Sequence, residues 1–444
     1  MIRSRFDLRA VLACGSLLLL AGCGGWYGEE EEPPLPGTRV PVMLLDEGVT
    51  ADPRIGSLQV TLPPPHVNPE WAQVGGNATH AMQHLQLGDA PALAWRADIG
   101  AGSSAASRIL APPVVADGRV FTVDAAGMVS AFATADGARL WQMEPEGLED
   151  SDRLRGGGLA FDTGWLFVTT GSGVVLGVDA ESGRELWRRS LVAPIRTAPT
   201  SAGGRLFVMT SNNQLFALDA RNGDVLWQHA GFFEPAAILG GAPPAVDGAL
   251  VIAAYSSGEV FALEVATGRV VWTETVLRPR RTLAIGAIND ITGAPVVDAG
   301  RVIVAGNGGE LASLDLRSGA RSYDVNLTSR NMPWVAGDFV YVLTDRNEVV
   351  ALLRSGGRAR WVSPLDRLVD PDDPVSRRIF WAGPVLAGDR LLLAGSTGEA
   401  VTVSPYTGEI LGRIDLPGPV SLSPVVAAET AYFLTDDGTL LAYR

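Results

Sequence analysis

Few residues of this chain have types and spacings that could do chemistry. His80 and His84 stand four apart, the spacing at which one face of a helix offers two imidazoles to a metal ion. No cysteine and no pair of carboxylates stands near enough to complete the ligand set, so the pair reads as chance in a lead-in segment. Gly171-Ser172-Gly173-Val174-Val175-Leu176-Gly177 invites comparison with a dinucleotide loop, but its third glycine falls one place late. It also reads as a hairpin turn, with no helix after it to meet a phosphate. His66 and His229 are isolated.

Cys23 has a defined covalent fate. Arg3, Arg5 and Arg9 precede an apolar run from Ala10 to Leu20, and Leu20-Ala21-Gly22-Cys23 follows with small residues before the cysteine. This is a secretory signal over 1–22 ending in a lipobox, with an apolar run too short to span a bilayer. Cys23 is expected to become a lipidated N-terminus. Gly24 rather than aspartate follows it, which by resemblance to bacterial lipoproteins directs the chain to the outer membrane. Cys14 and Cys23 are the only cysteines, so the mature chain is expected to hold neither a disulfide nor a thiolate metal site. Residues 23–70, with Glu29 to Glu32, Pro33-Pro34 and Pro63-Pro64-Pro65, read as an extended tether, and 71–444 as the folded domain.

The elements that position everything else come from a repeat. Leu140-Trp141, Leu186-Trp187, Leu226-Trp227, Val271-Trp272, Ser322-Tyr323, Arg360-Trp361 and Leu411-Gly412 end successive copies, each after a turn such as Asp219-Ala220-Arg221-Asn222-Gly223. Pro113, Pro199, Pro243, Pro295, Pro333, Pro384 and Pro424 open units, with Leu159 in the equivalent slot of the second. Between these marks lie alternating apolar strands joined by Gly or Asn turns, four strands to the unit. Eight units of this length are the mark of an eight-bladed β-propeller, an all-β fold. The last unit lacks a fourth strand, and Ala94-Trp95-Arg96 is expected to supply it and close the ring. The tryptophans read as wedge fillers between blades.

Hydrophobic residues make up 47% of the chain, enough for a large core. Loss of residues 1–22 removes three arginines and one aspartate, which takes the formal charge from −14 to −16. A lysine-free, acidic surface argues against nucleic acid as a partner and suits basic ones.

The repeated Ala-Leu-Asp-x-x-x-Gly-x-x-Leu-Trp unit, over roughly 92–444, resembles the tryptophan-docking repeat of pyrroloquinoline quinone (PQQ)-type propellers. With the lipobox and eight blades, the chain resembles the BamB-type lipoproteins of the outer-membrane β-barrel assembly machinery. The resemblance implies a non-catalytic, periplasm-facing scaffold without a cofactor. Its implied partners are the POTRA domains of a BamA-like barrel-forming subunit and other assembly lipoproteins, with the lipid in the membrane. It places the contact on the connections into the fourth and fifth blades. Here these carry Ile238 and Leu239, near the family's apolar contact residues, and Asp290, five residues before the blade's proline. The family's arginine beside the glycine is absent, and Thr292 stands where the family has a second aspartate. Arg278, Arg280 and Arg281 add a basic cluster to the second connection.

Two other readings share the repeat. A PQQ-dependent dehydrogenase needs calcium held by carboxylate and amide oxygens, an aspartate base and long insertions, and often an adjacent cysteine pair. The mature chain lacks the cysteines and the insertions. A propeller lipoprotein that binds another envelope partner is the third reading.

Overall fold

A computed structural model describes residues 48–145, 157–191, 193–234, 240–276 and 290–444. Cys23 and the signal, most of the tether, Ile238, Leu239 and the Arg278–Arg281 cluster lie outside these residues.

The described chain is an eight-bladed β-propeller of four-stranded antiparallel sheets. Blades 1 to 7 run in chain order, over residues 114–143, 157–190, 200–230, 245–275, 296–325, 334–364 and 381–415. Blade 8 holds Val425–Ala427, Thr430–Leu434 and Thr439–Tyr443, and its outermost strand is Leu93–Asp98, paired antiparallel to Thr439–Tyr443. Outside the strands, the only helical piece among the described residues is one 3-10 turn, Pro53–Ile55.

Burial follows position in the blade. Second and third strands such as Leu206-Phe207-Val208 and Leu215-Phe216-Ala217-Leu218 are buried on both faces, because blades stack against both, and they read as continuous apolar runs. The outermost strands alternate, as in Val225–Ala230. In six of the eight blades a two-residue turn with positive φ at both positions, Gly203-Gly204 for example, joins the first strand to the second, the geometry that suits the right-handed twist of a hairpin.

The aromatic at the end of each unit docks on the next blade. The indole Nε1–H of Trp95 donates to Thr134 O at 2.9 Å, Trp141 to Ala180 O at 3.0 Å and Trp187 to Ala220 O at 3.0 Å. Trp227, Trp272 and Trp361 repeat the bond to Val265 O, Leu316 O and Pro405 O at 3.0, 2.8 and 3.2 Å. Each ring also lies on the glycine that ends the same turn of the neighbouring blade. A Cβ on Gly223, for instance, would sit 2.6 Å from Trp187 Cε3. The glycines that read as turn formers therefore serve the packing of a different blade as well.

The two exceptions in the series have different causes. Tyr323 lies on Gly357 of blade 6 as the tryptophans lie on their glycines. Gly412 ends blade 7, and its neighbour, blade 8, takes its outer strand from residues 93–98. No turn joins that strand to Thr439–Tyr443, so an indole at 412 would have no carbonyl and no glycine to dock on.

Residues 48–70, read above as the end of the tether, group with the propeller. Val60 is buried, Asp52 N–H donates to Ala359 O at 2.8 Å and Arg360 Nε to Leu58 O at 2.8 Å. Residues 66–88 then run round the axis and touch all eight blades. Trp71 exchanges both backbone bonds with Val115 of blade 1. Ala72 O accepts from Phe161 N–H of blade 2, and Gln73 Oε1 from Ser201 N–H of blade 3. Ala78 O and Thr79 O accept from Val246 and Val297 of blades 4 and 5. Gln83 O accepts from Trp334 Nε1 of blade 6, Leu85 brackets Leu386 and Gly388 of blade 7, and Asn68 holds Val426 and Ala428 of blade 8. An innermost strand has one unpaired edge, and residues 66–88, a plug across the axis, supply its missing partners.

The plug also explains the histidine pair. No helix forms there: His80 has φ +61. Its Nδ1–H donates to Pro295 O at 2.7 Å, while Nε2 is buried without a partner. Burial holds this imidazole down to about 4. His84 Nδ1–H donates to Pro63 O at 2.9 Å and its Nε2 accepts from Asp389 N–H at 3.1 Å. Both rings are engaged in holding the plug.

Candidate functional site

The plug closes the channel from one side, and on the other the channel opens as a cavity of about 760 Å³ with Trp71, Val74 and Gly75 in its lining. Its rim is made by the connections that lead into the innermost strands, among them 110–112, 196–198, 240–243, 292–294, 330–332 and 421–424. Rigid blades hold these connections in place, the arrangement in which surface loops carry binding.

Asp290 and Thr292 both belong to this rim's construction. The Asp290 side chain is only 2% exposed, and its Oδ2 lies 3.8 Å from Arg196 Nη2 on the connection into blade 3. Its backbone O accepts from Asn307 N–H at 2.9 Å. Burial pulls the Arg196 pKa below the usual guanidinium value, and the Asp290 charge opposes that shift. Thr292 Oγ1 donates to Arg330 O at 3.2 Å, and Arg330 Nε donates to Asp345 Oδ1 at 3.2 Å. The two sequence-derived residues are thus brought together with Arg196, Arg330 and Asp345 in a polar band along the rim from blade 3 to blade 6. Ile238 and Leu239 lie outside the described residues, but their flanking Gly240-Gly241 lines the same rim.

Sequence reasoning missed Arg196, Arg330 and Asp345. Each stands in a connection or turn that breaks no repeat rule, and only the closing of the ring sets them side by side.

The lining does not fit a divalent cation beside a quinone. Calcium takes six to eight oxygen ligands. Among the described residues the lining carries five arginines, Arg196, Arg330, Arg346, Arg367 and Arg378, and one carboxylate, Asp345, which already holds Arg330. Among the described residues no group of three or more His, Cys, Asp or Glu could hold a metal ion.

The family model described as outer membrane protein assembly factor BamB matches residues 89–156, 125–363 and 369–444. The BamB of Salmonella typhimurium is 28% identical over 358 residues, covering 79% of this chain and 88% of that protein. Among solved structures, BamB from Moraxella catarrhalis superposes with a TM-score of 0.67 at 21% identity, covering 80% of this chain and 99% of that one. Quinohemoprotein alcohol dehydrogenase from Comamonas testosteroni superposes at 0.63 and 15% identity, covering 84% and 80%. At these identities the superpositions speak for the fold alone.

Proposed function

This chain belongs to the outer membrane protein assembly factor BamB family, and we propose that it acts as a non-catalytic scaffold, lipid-anchored through Cys23 on the periplasmic face of the outer membrane. Its partner in this reading is the POTRA region of a barrel-forming subunit, and its role is to aid insertion of outer-membrane proteins. The contact surface is the part of the rim where the connections into blades 4 and 5 lie side by side. Ile238 and Leu239 supply its apolar part. Asp290 contributes from beneath, because its buried carboxylate lies against Arg196 and so ties the second connection to the connection into blade 3.

The single observation that carries this reading is the family match along the whole propeller, which includes both connections. Affinity capture from solubilised membranes tests it. Recovery of the barrel-forming subunit is expected with the parent chain, and reduced recovery with Ile238→Ala or Asp290→Ala. Capture of a different envelope protein in its place would sink the proposal. Cys23→Ser should release the protein from the membrane fraction.

The shared fold with quinohemoprotein dehydrogenases keeps a second reading in view. Saturable PQQ binding with calcium, together with dye-linked alcohol oxidation, would favour it.

A further inference from the structure

The side of the cavity rim built by blades 6 and 7 differs in charge from the rest of the molecule. The chain as a whole carries 49 acidic against 35 basic residues, yet among the described residues five arginines and one aspartate line the cavity. Arg346 stands in a turn of blade 6, and Arg367 and Arg378 on the connection into blade 7. Arg367 and Arg378 are exposed, and neither has an ion pair among the described residues.

The connection 365–380 sorts its charges by side. It also carries Asp366, Asp370, Asp372 and Asp373, and none of these lines the cavity. Asp366 is turned outward to Arg413, at 2.8 Å. The Leu368–Arg378 bridge, with Ile379 N–H donating to Arg367 O, closes the connection into a loop, and both Arg367 and Arg378 line the cavity. Beside them Phe380 is 54% exposed, and Arg330 lies over its ring at 5.9 Å. Val375 on the same connection is 89% exposed.

Arginines grouped at a concave, low-dielectric opening focus a positive field. Arginine beside an exposed aromatic is the composition of interface centres, where the guanidinium takes a carboxylate in bidentate fashion. We infer that this side of the rim is a docking site for an acidic polypeptide segment, with Arg367 and Arg378 taking its carboxylates and Phe380 an apolar side chain beside them. It is distinct from the connections into blades 4 and 5. The same chain can therefore hold two partners, or two parts of one.

A short labelled peptide of alternating glutamate and leucine, titrated by fluorescence anisotropy into the full chain, tests this site. Saturable binding that weakens with added salt is expected. Arg367→Ala/Arg378→Ala should weaken it at least tenfold. Arg188→Ala/Arg269→Ala, on the outermost strand of blade 2 and in the turn before that of blade 4, should leave it unchanged. The inference fails if the peptide does not saturate, if a lysine-for-glutamate peptide binds equally, or if the rim variant binds like the parent while its thermal unfolding is unaltered. Citrate is the control for a small-anion pocket. Saturable citrate binding that the peptide does not displace would also overturn the inference. Asp290→Ala leaves Arg367 and Arg378 in place, so the peptide should still bind when capture of the barrel-forming subunit is reduced.

Discussion

The Asp290 carboxylate lies 3.8 Å from the Arg196 guanidinium, and so joins the connection into blade 5 to the connection into blade 3 across the one between them. Both side chains are largely withdrawn from water, and the Asp290 charge opposes the downward shift that burial imposes on Arg196. Asp290→Ala should therefore act through Arg196, which would lose the Asp290 carboxylate from its buried surroundings. A loss of about 1–3 kcal/mol in urea unfolding is expected. Arg196→Met with Asp290→Leu should recover most of it. A single variant as stable as the parent would show that the pair does no structural work.

The glycine platforms separate two costs that are usually measured together. Gly223 and Gly203 both have positive φ, at +71° and +58°, but a Cβ meets Trp187 at the first and nothing within 4 Å at the second. Alanine at either position bears the backbone cost. Gly223→Ala should lose about 1–3 kcal/mol more through overpacking. Equal urea midpoints for the two variants would mean that the indole moves aside freely.

The docking series predicts opposite results at its two exceptions. In the six tryptophan-docked turns the accepting carbonyl stands three residues before the glycine, which makes Arg354 O the equivalent acceptor for slot 323. Tyr323→Trp should stabilise the protein by about 1 kcal/mol, the worth of one hydrogen bond. Gly412→Trp should not, since blade 8 offers no turn. Differential scanning calorimetry checks both. A rise in Tm for Gly412→Trp would contradict the explanation given for that glycine.

His80 links stability to pH. Its folded pKa is about 4, below the ordinary value of 6.5, so between these two values the unfolded chain binds a proton that the folded one does not. Stability is complete above pH 6.5 and falls as pH drops toward 4, by on the order of 3 kcal/mol from this group. His229 shifts in the same direction through burial and adds to the slope. His80→Asn, which tolerates positive φ, should flatten the pH dependence of the urea midpoint over this range. An unchanged slope would place the effect elsewhere.

The blades were legible in the sequence because each of their devices is local. An indole, a proline and a turn glycine repeat at fixed offsets, and the strand between them needs only apolar residues. The plug was not legible, since it has no period. Its bonds are made largely by backbone groups of Trp71, Ala72, Ala78 and Thr79, which carry no mark of residue type. The rim was legible by half. The loop around Asp290 stood out by length and composition, whereas its partner Arg196 lies in a short connection two blades earlier and meets it only when the ring closes.

The plug also sets an order of assembly. Asn68 bonds Val426, a partner 358 positions later in the chain, and Trp71, Gln73 and Leu85 each wait for a blade of their own. Contacts of such sequence separation form late, because the intervening chain must first be ordered. During synthesis the blades emerge one after another and can stack on their predecessors, while the segment made before them all has no complete surface to bind. Residues 66–88 can thus complete their bonds only once the eighth blade is in place.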